Sequence, residues 1–297
     1  MAKKDWIEII EKFNQDYLTA FLNSENSFLP SENFLNPFND SLQNFNSKNL
    51  NKSNPANWIP IYKKEDLSEF LLENRLMPIR SGSGEFFFYR GNIIFDLTEI
   101  EFISIPNENI NQIDNFIPLS LKVDFQRNEN AYLNKAIAFG IINHFVENRE
   151  LKVLEKELHN KNSSRLLYGQ FGKIKTSFDF SFKTSKGCKL INRGFQFEMD
   201  LVLESEKEIL IFEAKSGEKE TKSFSLLQLY YPLVYLELIT TYRKKVRTIF
   251  IDITIKGNLE TYRLLEIGFK KSNFDEVNIL RSYQYQIRNP KNLLEFL

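Results

Sequence analysis

Four charged residues, Glu198, Asp200, Glu213 and Lys215, interrupt the apolar runs of FEMDLVLESEKEILIFEAKSG, residues 197–217. The runs read as two strands joined by the charged turn Glu204-Ser205-Glu206-Lys207. Side chains alternate faces along a strand, so Glu198 shares a face with Asp200, and Glu213 shares one with Lys215. Folding about Glu206 and Lys207 sets Asp200 opposite Glu213 and Glu198 opposite Lys215. The same register pairs Leu201 with Phe212, Val202 with Ile211 and Met199 with Ala214, apolar against apolar. A slip of one residue would offset the acids without dispersing them. Three carboxylates without histidine or cysteine form a hard oxygen site, suited to Mg²⁺ or Mn²⁺ rather than zinc. A lysine in the same space can help ionise a water or hold it in line with a phosphate. Phosphodiester hydrolysis requires such a set, because the phosphorane and the leaving oxygen both gather negative charge. The competing structural reading is an ion pair between Glu198 and Lys215, which would leave two acids unpaired at considerable expense.

The rest of the composition narrows the classes. The chain has 39 basic and 39 acidic residues, which excludes a globally basic protein but allows a local basic cleft. One cysteine, Cys188, excludes a disulfide framework and a cysteine-rich zinc site, and fits a reducing compartment. Two histidines, His144 and His159, exclude a multi-histidine metal centre. The opening residues MAKKDWIEII start an acidic amphipathic pattern, and no run is long and apolar enough to cross a bilayer. A cytoplasmic chain without membrane contact is expected.

The elements that must position the four residues can be read from periodicity. Residues 4–22 have helical spacing, and 23–57 form an Asn-, Ser- and Pro-rich loop. A helix is expected over 64–76, and strand, Gly turn and strand over 77–95. With strand-like pieces over 98–121, the first part makes a smaller α+β unit, residues 1–115. The second part, 116–297, runs helix (129–146), strand (173–182), the hairpin, helix (224–242) and the strand VRTIFIDITI. The fold class expected is α/β (α+β), a mixed sheet flanked by helices.

Asp200, twelve intervening residues, then Glu213-Ala214-Lys215 resembles the D…(D/E)xK motif of the PD-(D/E)xK nuclease superfamily, and the element order resembles its αββαβ core. The resemblance covers roughly residues 125–256. It implies a restriction-endonuclease-like core in which Asp200, Glu213 and the Ala214 carbonyl hold the metal and Lys215 is the catalytic lysine. Glu129 matches the acid that many members carry on the preceding helix. Gln228 matches a glutamine of several branches, including RecB-like ones. The proline that often precedes the family's Asp is replaced by Met199, and Glu198 before it is a candidate substitute ligand. Type II restriction endonucleases look most similar: chains of about this size, without an ATPase loop, that carry a variable unit reading DNA.

The function expected is therefore Mg²⁺-dependent cleavage of double-stranded DNA at a specific sequence, with Mn²⁺ able to substitute. A homodimer on DNA is expected because two strands need two sites, and a cognate DNA methyltransferase is expected in the same system. The alternatives are a RecB-like or junction-resolving repair nuclease and a DNA-binding module without turnover. Arg80 and Arg90 bracket the Gly-Ser turn RSGSGEFFFYRG and are expected at the DNA backbone. Arg165, Lys173, Lys175 and Arg193 flank the active face as candidate phosphate contacts. The basic run 243–247 reads as a solvated helix end.

Overall fold

The structure is a computed structural model describing residues 19–20, 22–24, 64–67, 69–82, 86–106, 129–147, 167–205 and 207–288. After a 3-10 turn at Lys64–Asp66, its elements are α1 (Glu69–Glu73), β1 (Leu76–Arg80), β2 (Phe86–Arg90), β3 (Ile94–Asp96) and β4 (Ile103–Ser104). Next come α2 (Glu129–Ala138), α3 (Ile141–Glu147), β5 (Leu167–Lys175), β6 (Phe180–Thr184) and β7 (Gly187–Ile191). The chain continues with β8 (Gln196–Glu204), β9 (Glu208–Gly217), β10 (Ser223–Ser225) and α4 (Leu227–Ile239). β11 (Lys245–Lys256), β12 (Leu259–Phe269) and β13 (Val277–Arg288) complete it. The fold is mixed α+β, with a seven-stranded mixed sheet in the order β4-β13-β12-β11-β9-β8-β5. No described helix is long and apolar enough to cross a membrane.

Alternating side chains on the central strands feed two cores, one on each face. One face carries Leu201, Leu203, Leu210, Phe212 and Ile251 under Tyr132, Leu133 and Ala136 of α2 and Ile141 and Phe145 of α3. The other carries Val202, Ile209, Ile211 and Phe250 under Leu229, Tyr230, Leu233 and Val234 of α4. α4 is apolar nearly all round, as a helix buried on several sides must be. It returns the chain so that β11 pairs parallel to β9 from Glu208 to Gly217. β1, β2, β6 and β7 pack over the α4 face, where Phe182 makes edge contacts with Tyr89 and Tyr230. β3 pairs with β10 and β4 with β13, so the described part of the expected unit 1–115 shares its core with the rest.

Several elements differ from expectation. The helix expected over 129–146 breaks into α2 and α3, because Gly140 takes a left-handed φ of 74°. The helix expected over 64–76 is only a 3-10 turn and α1. The strand expected over 173–182 ends at Lys175, where the Thr176 amide turns to the Phe195 carbonyl, and β6 begins at Phe180. β10 takes the residues just before α4, with Phe224 stacked on Phe250 at 3.8 Å. β12 and β13 extend the sheet beyond the expected core. The helix at 4–22 and loop at 23–57 fall almost wholly outside the described residues.

In the basic run 243–247, Arg243 and Lys245 are exposed, as a solvated end requires, but Arg247 is not. Arg247 is buried, with Nε 2.7 Å and Nη2 2.8 Å from the two Glu266 oxygens. Arg281 Nε reaches Glu266 at 2.8 Å as well. Burial alone would raise the Glu266 pKa, but the two guanidiniums overcome it and hold the carboxyl below its ordinary value. Glu266→Gln would leave two arginines without their shared anion, at a cost of about 3–5 kcal/mol. Urea denaturation of this variant should show a matching loss, and an unchanged midpoint would contradict the network's role.

Candidate active site

The hairpin register is the expected one: Leu201 lies opposite Phe212, Val202 opposite Ile211 and Leu203 opposite Leu210. The ladder then stops. Beyond Leu201, β8 keeps its pairing with β5 through two irregularities, while β9 stays paired with β11. The Ala214 amide is taken by Asp200 Oδ2 at 2.7 Å, so a carboxylate stands where backbone pairing ends. Met199 consequently packs in the α4-side core, away from Ala214 in the α2-side core. Glu198 lies opposite Lys173 of β5 rather than Lys215, which corrects the expected pairing.

Past the end of the ladder the charged groups gather in a cleft of about 500 Å³. Lys215 Nζ donates to Glu213 Oε1 at 2.5 Å and to the Ala214 carbonyl at 3.0 Å, and lies 3.8 Å from Glu129 Oε1. Gln228 Nε2, one residue into α4, donates to the same Glu213 oxygen. Glu198 and Asp200 complete the acidic lining, and Arg80, Phe195 and Tyr231 also line the cleft. Glu129 opens α2, where the helix dipole favours an acid, and accepts a hydrogen bond from the Ser216 amide.

Burial governs the electrostatics. Glu213 is 4% exposed, and desolvation pushes its carboxyl up to about 8 although Lys215 pulls it down. Glu129 is also raised, first by burial and then by Asp200, against the pull of Lys215. Burial opposes the Lys215 ammonium, but Glu213, Glu129 and Asp200 together hold its pKa above the ordinary value. One cation is therefore surrounded by acids that repel one another.

Among the described residues, no three acidic, histidine or cysteine side chains converge closely enough to form a ready cation cage. The donors are nevertheless hard oxygens, the type that suits a divalent ion such as Mg²⁺. Glu213, Glu129 and the Ala214 carbonyl already point at one ammonium, which stands in for a cation. A divalent ion there requires Lys215 to swing off Glu213, and Asp200 and Glu213 then offer carboxylate oxygens on adjacent strands.

Other expected site residues are placed less centrally. Arg80 lies at the cleft, its guanidinium 5.6 Å from the Phe195 ring centroid and its Nε donating to the Gly82 carbonyl at 2.9 Å. Arg90 sits at the other end of the β1–β2 hairpin, donating to the Leu22 and Ser24 carbonyls at 2.7 Å each. Lys175 and Arg193 are exposed and do not line the cleft. Arg165 and the Lys173 side chain lie outside the described residues. Sequence reasoning missed Phe195, Ser225 and Tyr231 as cleft residues. Nothing local marks them, since they meet only through the packing of β10 and α4 on the sheet.

Residues 98–286 match the family described as Domain of unknown function (DUF6997). The chain belongs to that family. No curated protein and no solved structure matches it. The DUF6997 segment holds Glu129, Glu198, Asp200, Glu213, Lys215 and Gln228, whereas Arg80 and Arg90 precede it.

The raised Glu213 pKa has a measurable consequence. The fold favours its protonated form, so that contribution is fully present below the ordinary value of 4.5 and is lost as pH rises through about 8. In metal-free buffer, Glu213→Gln should gain on the wild type between those values, by on the order of a few kcal/mol. Denaturation across this pH range checks it, and a stability difference independent of pH would show that Glu213 titrates normally.

Proposed function

We propose that this protein is a Mg²⁺-dependent endonuclease that hydrolyses phosphodiester bonds of double-stranded DNA, most like a type II restriction endonuclease. The observation that carries the proposal is the gathering of Glu213, the Ala214 carbonyl and Glu129 on Lys215, beside Asp200, where the β8–β9 ladder opens into a cleft. The element order supports it. Helix α2, strands β8 and β9, helix α4 and strand β11 give the αββαβ order of PD-(D/E)xK nucleases, with α3, β5, β6, β7 and β10 as additions.

A Mg²⁺ ion held by Asp200, Glu213 and the Ala214 carbonyl, with Mn²⁺ able to substitute, would supply positive charge for the phosphate and ease ionisation of a water. Lys215, released from Glu213, faces the phosphate and offsets the charge that builds on its oxygens. The water oxygen bonds to phosphorus as the P–O3′ bond breaks. The water gives up its proton to solvent, and the 3′ oxygen takes one from solvent. Glu129, beside Lys215, helps keep the lysine charged, and Glu198 adds a carboxyl group to the cleft lining.

This chemistry is blind to base identity, so recognition needs groups that reach base edges. Arg80, on β1 at the cleft wall, is the described N-terminal residue best placed to touch DNA. A homodimer on DNA and a partner methyltransferase follow from the restriction reading. A second reading, a RecB-like repair nuclease, is favoured by the Gln228–Glu213 contact, since that glutamine is shared with RecB-like branches.

Incubation of unmethylated plasmid with protein and Mg²⁺ separates the readings. Discrete fragments are expected, smears or junction-only cutting would favour the repair nuclease, and intact DNA would overturn both. Asp200→Asn should abolish cleavage. Lys215→Ala should keep DNA affinity while its single-turnover rate falls by about 10²-fold or more, because the lysine acts on charge that develops in the transition state. A near wild-type rate would reduce Lys215 to a partner of Glu213.

A further inference from the structure

Two polar atoms of the cleft have no partner among the described residues: Ser225 Oγ and Gln228 Oε1. Ser225, the last residue of β10, is 1% exposed. Its backbone pairs with Ile94 of β3, which fixes the residue in place. Gln228 follows three residues later, and its amide is oriented by Glu213. The amide nitrogen donates to Glu213 Oε1, which leaves Gln228 Oε1 as an acceptor. A buried hydroxyl and a buried amide oxygen without partners cost about 1–3 kcal/mol each. Their placement in one cleft beside the acidic wall calls for a ligand.

The chemistry of the pair selects that ligand. Gln228 Oε1 needs a donor, which a phosphate oxygen cannot be. Ser225 Oγ can donate. A water that donated to Gln228 and accepted from Ser225 would meet both needs and keep a second lone pair free.

We propose that Ser225 and Gln228 position the attacking water of the hydrolysis, with its free lone pair directed at the scissile phosphorus. The inference rests on the nuclease reading and deepens it. The water's oxygen forms the new P–O bond as the P–O3′ bond breaks, and its proton leaves to solvent. Gln228 thereby joins the acid at Glu213 to the nucleophile, because one amide holds both. Ser225 contributes orientation alone, so its effect belongs on the rate and not on substrate affinity.

The test uses the full chain with unmethylated duplex DNA. Single-turnover cleavage is measured in Mg²⁺, DNA affinity in Ca²⁺, and thermal stability without metal. Ser225→Ala should cut about 10-fold or more slowly with unchanged DNA affinity. Its apo melting temperature should equal or exceed that of the wild type, since a buried hydroxyl without a partner has been removed. Gln228→Met should also be slow, and the double variant no slower than the slower single one, because both residues serve one water. Wild-type cleavage with an equally fast Ser225→Ala overturns the water notch and leaves the nuclease reading standing. A Ser225→Ala defect that appears in DNA affinity or in melting temperature overturns it equally. Absence of cleavage by the wild type overturns the nuclease reading and the notch with it.

Discussion

The site depends on β9 remaining paired on one side while it is released on the other. Its parallel ladder with β11 runs unbroken from Glu208 to Gly217, which fixes Glu213, Ala214 and Lys215 in place. Its antiparallel ladder with β8 ends at Phe212, and the Asp200 carboxylate takes up the next amide. A buried N–H must find an acceptor, so the release of backbone pairing itself demands a side-chain oxygen at this point. The strand that opens the cleft thus draws an acid to its mouth. Apolar pairs behind the opening, Leu201 with Phe212 and Leu203 with Leu210, hold the hairpin against two filled cores.

The same geometry sets the electrostatics. Glu213 lies too deep to ionise freely, and Lys215 and Gln228 compensate it from two directions. Lys215 is the counter-ion of Glu213, and under the proposed function it is the group that a harder cation would displace from those oxygens. Elsewhere the fold resolves buried charge differently. Arg247, Glu266 and Arg281 satisfy one another and do not line the cleft that holds Glu213. Burial of charge alone therefore does not mark a site in this molecule; burial beside open space does.

Much of this was legible in the sequence. Apolar alternation marked the hairpin register from Leu201–Phe212 to Leu203–Leu210, because a one-residue slip would have put Phe212 and Leu210 on the wrong face. It could not show where the ladder ends, since that depends on how β8 follows β5. Glu129 and Gln228 were found only through their spacing around the motif. Ser225 was hidden within an expected helix and reached the cleft because β10 pairs with a strand about 130 residues earlier. Arg247 was misread because its partners are on β12 and β13, beyond any local window. The β11–β12 hairpin did carry a local signal, a Gly257-Asn258 turn between alternating runs, with Gly257 at φ 63°.

The account turns on whether a divalent cation displaces Lys215 at Glu213. Crystals grown with Mn²⁺ and examined at the manganese absorption edge answer this directly. The account predicts an anomalous peak between the Asp200 and Glu213 carboxylates and the Ala214 carbonyl, with the Lys215 ammonium moved off Glu213. No peak there, with Lys215 still bound to Glu213 in crystals saturated with the ion, would contradict it.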